Sequence, residues 1–211
     1  MALSAIEVND LKHAPAVEGV LPAVLGRWSP RSFADRAVSG ADLRRVFEAA
    51  RWTASSRNEQ PWRFVVGLRD SAASSLTYRK IFSTLASSNQ VWAGKAPVLM
   101  LGVTSTKFAH NGAENRVALY DLGAAASYLT LEASALGLAT HQMAGFDQAA
   151  ARKALGIPED FAIGAVIALG YQGEPSALTD AHHFEQETTP RTRKALGEFV
   201  FSAWGEAAEL G

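Results

Sequence analysis

Cysteine is absent from all 211 residues. That single absence excludes disulfides, thiolate zinc sites, iron–sulfur clusters and a cysteine nucleophile. Any redox chemistry must therefore come from a bound cofactor. Charge is also scarce: charged residues make up 19% of the chain, against about 25% in typical soluble domains. A surface short of charge implies that part of it is covered, so a subunit interface is expected. The 20 basic residues are balanced by 21 acidic ones. No basic excess exists to neutralise a polyphosphate backbone, and nucleic acid is not an expected partner. Long apolar runs are missing too. The longest, Phe161 to Leu169, falls far below a membrane span of about 20 residues. The opening M-A-L-S-A-I-E-V-N-D carries acids and lacks the basic start and apolar run of a secretory signal. The expectation is a cytoplasmic protein with no membrane partner. No G-x-S-x-G elbow, G-x-x-x-x-G-K-[ST] loop or H-E-x-x-H pair occurs. His13, His110 and His141 are scattered. His182 and His183 are adjacent and would point apart, which suits a solvated loop and no metal site.

What is present fits one domain over residues 1–211, since a chain of this length buries one sizeable core. Gly19 to Leu25 has the spacing of a short helix with Pro22 in its first turn. Ser39-Gly-Ala-Asp42 reads as a capping box with Asp in place of Glu, followed by Leu43, Val46, Phe47 and Ala50 at helical spacing. Arg63 to Gly67 is a short β-branched strand. A polar helix, partly loop, is expected over Ser71 to Leu85. The continuous apolar run Pro97 to Val103 implies a strand buried on both faces. Thr104 to Asn115 reads as a loop suited to substrate contacts or to plain connection. Glu114 to Leu136 is a helix with apolar or small residues nearly all round, so burial on every side is expected, with unidentified partners for Asp121 and Glu132. Ala139 to Gln142 is a brief strand. Asp147 caps a helix closed by Gly156, and Ala162 to Tyr171 is a second buried strand. In the tail, Phe199, Val200, Phe201 and Trp204 call for a surface to lie on. By rule, this alternation of helices and strands suggests a parallel α/β sheet.

The joint from Thr53 to Val66 is the most polar connection. Ser55, Ser56, Asn58 and Gln60 crowd together, and Pro61 is expected to force an extended backbone onto Gln60. The residues suit either a turn or a set of hydrogen-bonding groups offered to a polar ring.

Four separated motifs carry a resemblance. S-S-x-N-x-Q-P-W-x-F at Ser55–Phe64, R-W-S-P-R-S-F at Arg27–Phe33, M-A-G-F-D at Met143–Asp147 and P-R-T-R-K at Pro190–Lys194 together resemble the signature of the FMN-dependent nitroreductase family. The resemblance implies an α+β fold: a three-layer α/β/α sandwich with a mixed, mostly antiparallel sheet. It also implies an intertwined homodimer in which the C-terminal segment, about residues 190–211, wraps the partner subunit, with the FMN sites at the interface. It further implies that Arg27, Arg191 and Arg193 bind the FMN phosphate and Ser29 the ribityl chain, with the Trp28 backbone close by. Ser55, Ser56 and Asn58 would reach FMN from the opposite subunit. Arg31 would sit at N1 and O2 of the isoalloxazine, with pairing to Asp35 as the structural alternative. Asn89 would meet the pyrimidine edge, and the Ala144 and Gly145 N–H groups N5, with Gln142 and Met143 leading into that turn. No catalytic side chain is required, because the cofactor does the hard step. The function implied is hydride transfer from NADH or NADPH through flavin to a small acceptor such as a nitroaromatic, quinone or activated alkene. Alternatives are reductive dehalogenation, flavin fragmentation, or flavin sequestration without turnover.

Overall fold

The computed structural model describes residues 3–210. Met1 and Ala2 of the opening stretch and Gly211 of the closing segment lie outside them. Four strands, β1 (Trp62–Leu68), β2 (Val98–Ser105), β3 (Ala139–Met143) and β4 (Phe161–Gly170), form one sheet in the order β1-β2-β4-β3. Every pairing in it is antiparallel, against the parallel sheet that simple alternation predicts. The reason lies in the connection after β1. Two helices, α4 (Ser75–Thr84) and α5 (Ser87–Ala93), occupy it, and the excursion returns the chain to the same end, where Leu68 faces Val98. A single crossover helix would have delivered it to the other end.

The fully buried β2 separates two cores by its period of two. Leu99, Leu101 and Val103 join Ile81 and Trp92 on one face, covered by α4, α5 and α7 (Gln148–Leu155). Val98 and Met100 join Val46, Ala50, Leu122 and Leu129 on the other, under α3 (Gly40–Arg51) and α6 (Ala118–Ala135). The result is an α/β/α sandwich. Among the described residues, no helix is long and apolar enough to cross a membrane.

Gly67 marks where β1 and α4 touch: a Cβ there would lie 2.3 Å from the Tyr78 main-chain nitrogen. Backbone cannot yield as a side chain can. Gly67→Ala should therefore cost about 3 kcal/mol, the upper end for an overpacked core, read as a lower urea midpoint at unchanged slope.

Several expectations need correction. Gln60 is not extended: its φ is 50°, and Arg57 and Asn58 also have left-handed φ of 54° and 55°. Here local hydrogen bonds override the proline rule, since the Ser55 hydroxyl accepts from Gln60 N at 2.9 Å and the Gln60 amide donates to Asn58 O at 3.2 Å. Ser39 caps α3 through Asp42 N at 3.0 Å, but the Asp42 carboxylate accepts from the Ser39 hydroxyl at 2.8 Å and not from its amide. The box is half made because Asp is one methylene short of Glu. Helix α6 buries one side only within the chain, leaving Leu119, Tyr120 and Tyr128 exposed. Its carboxylates find partners: Asp121 accepts from Ser56 N at 3.2 Å, and Glu132 lies 3.4 Å from Arg45.

Three further helices and a small hairpin lie outside this sandwich. Helix α1 (Ala5–Lys12) starts at a reciprocal capping box between Ser4 and Glu7. Helix α2 (Pro22–Gly26) is the short one that ends at Arg27. Helix α8 (Ala181–Thr188) is capped by Asp180, whose carboxylate accepts from His183 N at 2.9 Å. This places His182 and His183 on a helix and not in a solvated loop, with the His183 side chain buried. Beyond it, β5 (Phe201–Ala203) and β6 (Glu206–Ala207) form a hairpin that leaves Trp204 95% exposed.

Candidate functional site

Arg27 to Ser32 runs as an extended ridge in which burial alternates. Trp28, Pro30 and Ser32 are buried, while Arg27, Ser29 and Arg31 are partly exposed. The alternation leaves two guanidinium groups and a hydroxyl partly exposed, Arg27 at one cavity and Arg31, where the chain bends, at another. Trp28 anchors the ridge. Its indole N–H donates to Asn9 Oδ1 at 2.8 Å, and Lys12 Nζ stands 5.0 Å from its ring centroid. Any ligand contact at Trp28 is left to its main chain.

Arg27 Nη1 donates to the Ser29 hydroxyl at 3.3 Å. Burial lowers the Arg27 pKa and Arg193 lowers it further; Arg191 is lowered by burial, then by Arg193 and Arg27. These three cations repel one another, and none has a carboxylate ion-pair partner among the described residues. Arg191 is partly committed: it donates to Arg27 O at 2.6 Å and to Leu25 O, docking the C-terminal segment on the end of α2. Beside the cluster, a cavity of about 630 Å³ is lined by Arg27, Trp28, Pro30, Thr130, Ser134 and Thr140. A dianionic phosphate fits this donor set, because guanidinium forks match its oxygens and its charge removes the repulsion.

The second group gathers at the end of β3. Asn89, on α5, donates its side-chain N–H to Gly145 O at 2.9 Å, and Ala86 N donates to the same oxygen at 2.9 Å. A Cβ at Gly145 would lie 2.8 Å from the Asn89 side-chain nitrogen, so a larger residue there would push the Asn89 amide aside. Ala144 and Gly145 are exposed, and neither N–H donates to a turn or loop carbonyl among the described residues. Met143 is buried in the core. Gln142 reaches the opposite face of the strand, 3.4 Å from the Thr130 hydroxyl.

His141 ties this turn to the ridge. Its Nδ1–H donates to Pro30 O at 3.0 Å, and its ring stands 4.6 Å from that of Trp92. Burial, the largest cause, pushes its pKa down to about 4. Sign matters here: the folded pKa lies below the unfolded value of about 6.5, so the unfolded chain binds more protons between those values. Stability is complete above about pH 6.5 and falls toward pH 4, by up to roughly 3 kcal/mol. Urea unfolding at pH 7 and pH 5 should show this slope in the wild type, and His141→Gln should flatten it.

The third group stands apart. Ser55, Ser56 and Asn58 sit at the first turn of α6, held by the Ser56 N to Asp121 contact. Thr130 and Ser134, which line the phosphate-side cavity, lie nine and thirteen residues further along α6, about 14–20 Å at the helical rise. One chain therefore carries the two groups at opposite ends of one helix. The 104–115 loop packs on the third group: Ala109 N donates to Glu59 Oε1 at 2.7 Å, and Arg57 lies 5.5 Å from the Phe108 ring and 3.3 Å from His110 Nε2.

The sequence profile of the Nitroreductase family matches residues 24–171. A Mycolicibacterium smegmatis protein, described only as an uncharacterized 15.4 kDa protein in the ask 5' region, is 36% identical over 150 residues, covering 68% of this chain and 97% of its own. A Thermus thermophilus protein named NADH dehydrogenase is 32% identical over 187 residues, 72% of this chain and 86% of its own. A crystal structure described as an oxidoreductase containing FMN superposes with a TM-score of 0.80 at 30% identity, over 90% of this chain and 94% of that one. Fold and profile agree, and this chain belongs to the nitroreductase family.

Proposed function

We propose that the protein is an FMN-dependent oxidoreductase acting as a homodimer, with NADH or NADPH as donor and a nitroaromatic, quinone or activated alkene as acceptor. The observation that carries this reading is the cluster of Arg27, Arg191 and Arg193, three guanidinium groups with no carboxylate ion-pair partner beside Ser29. Bound FMN supplies the two-electron chemistry, accepting hydride at N5 and passing it on. The chain's own groups bind and orient. Arg27, Arg193 and the remaining donors of Arg191 take the phosphate, and Ser29 takes the ribityl chain. The Ala144 and Gly145 N–H groups serve N5, with Gln142 and Met143 fixing the strand that presents them. Asn89 and Arg31 serve the pyrimidine edge.

Ser55, Ser56 and Asn58 cannot join these groups within one chain, being at the far end of α6. A second copy supplies them if the helices pack side by side in opposite directions. The exposed Leu119, Tyr120 and Tyr128 of α6 and the exposed Phe199 and Trp204 of the tail offer the apolar area for such an interface. The test is direct. The purified protein should be a yellow dimer with one FMN per subunit, bleached by NADH or NADPH under anaerobic conditions and recoloured by a nitroaromatic. A colourless monomer that takes up no FMN would overturn both fold-level and functional readings. A yellow dimer bleached by neither donor would be a flavin carrier.

A further inference from the structure

Glu187, on α8, is fully buried at 0% exposure, and it belongs to none of the groups placed above. Its carboxylate accepts from Arg31 N at 2.9 Å and from Ser32 N at 3.1 Å. Burial raises its pKa, and against that the Arg31 and Ser32 N–H groups and the cations Arg31 and Lys12 favour its charged form. Lys12 is already committed, donating to Gln186 O at 2.6 Å and Thr189 O at 2.5 Å. The Arg31 guanidinium has no hydrogen-bond or ion-pair acceptor among the described residues. A buried carboxylate is costly to desolvate, and an amide could accept from a main-chain N–H at less cost. The charge of Glu187 therefore has a partner to serve, and Arg31 is the uncommitted one.

We propose that Glu187 is a positioning residue for Arg31, pinning the Arg31 and Ser32 amides, so fixing where the Arg31 guanidinium stands, and offsetting part of the Arg31 charge felt at the flavin. This rests on the FMN reading above. The sign follows from charge. Removing the anion leaves the Arg31 cation less compensated, which favours the more negative, reduced flavin.

Glu187→Gln keeps one acceptor and removes the charge. In the FMN-loaded dimer, reduced flavin should be held about tenfold tighter relative to oxidised flavin, a midpoint shift of about +30 mV for two electrons. In an Arg31→Ala background the same substitution should shift the midpoint by clearly less, since only the direct field of Glu187 is left to remove. An unchanged midpoint in Glu187→Gln, or an equal positive shift without Arg31, overturns the inference. Amide hydrogen exchange gives a readout free of the cofactor: in apo Glu187→Gln, whichever of the Arg31 and Ser32 amides faces the Gln NH2 should lose protection, and full protection at both would equally overturn it. If Glu187→Gln does not fold, Glu187→Asp keeps the charge on a shorter arm, with protection expected to fall and the midpoint to stay near wild type. A positive midpoint shift in Glu187→Asp would count against the inference. A wild-type chain that takes no FMN would instead sink the FMN reading, with the exchange result still deciding the anchor.

Discussion

Alanine at Arg27 or at Arg193 is expected to weaken FMN binding by about 1.5–3 kcal/mol, the scale of a hydrogen bond to a charged group. That is roughly ten- to more than a hundredfold in Kd. Riboflavin lacks the phosphate, so its affinity should hardly change in either variant. Arg191→Ala should behave differently. Arg191 donates to the Leu25 and Arg27 carbonyls and so holds the tail against α2. Its loss should lower thermal stability and weaken both ligands. Parallel titrations of FMN and riboflavin into apo-protein decide the matter. Equal losses for both ligands at Arg27 and Arg193 would make those residues structural and leave the cluster unexplained.

Arg31→Ala should lower the two-electron midpoint potential of bound FMN and slow its reduction by NADH or NADPH, while oxidised FMN still binds. Two-electron reduction places negative charge along N1 and O2, so a fixed cation there favours the reduced form over the oxidised one. Only such differential binding helps the chemistry. In a partly water-excluded site the effect is worth roughly a few kcal/mol. Arg31→Lys should recover part of it, supplying charge without the planar fork. The structural alternative, pairing of Arg31 with Asp35, does not occur, because Asp35 pairs with Arg69. A spectroelectrochemical titration that finds an unchanged midpoint in folded, FMN-loaded Arg31→Ala would remove Arg31 from the mechanism.

The parts of this fold that were legible in the sequence are those written in apolar period or in caps. The unbroken apolar runs gave β2 and β4, and Asp147 with Gly156 bounded α7, where Gly156 does adopt a left-handed φ of 66°. Helix α1 was not assigned from the sequence: S-A-I-E is a capping-box signal, but its short, weakly apolar length hid it. Helix α8 was not legible in the same way. Its buried side chains are His183 and Glu187, so a search for apolar periodicity sees only a polar tail. The Trp28 side chain shows a further limit. Spacing placed it between Arg27 and Ser29, but only the packed structure shows it turned to Asn9 and Lys12. The left-handed φ at Gln60 likewise accompanies hydrogen bonds to Ser55 and Asn58 that the proline rule does not consider.

The ridge is stapled by the far end of the chain, and this has a kinetic consequence. Its contacts join residues 156 apart at Glu187 and Arg31, 164 apart at Arg191 and Arg27, and 174 apart at Lys12 and Gln186. The sheet and both cores, by contrast, are complete by Gly170. On a ribosome adding about 5–20 residues per second, Arg31 waits about 8–30 s for Glu187 to be made. Contacts of such long separation close late in folding. The nascent chain therefore spends that interval with its scaffold available and its cofactor cleft unformed. On the proposed function, flavin capture would follow these late contacts, and a chain that stops near Tyr171 is expected to keep the sheet and lack the staples of the ridge.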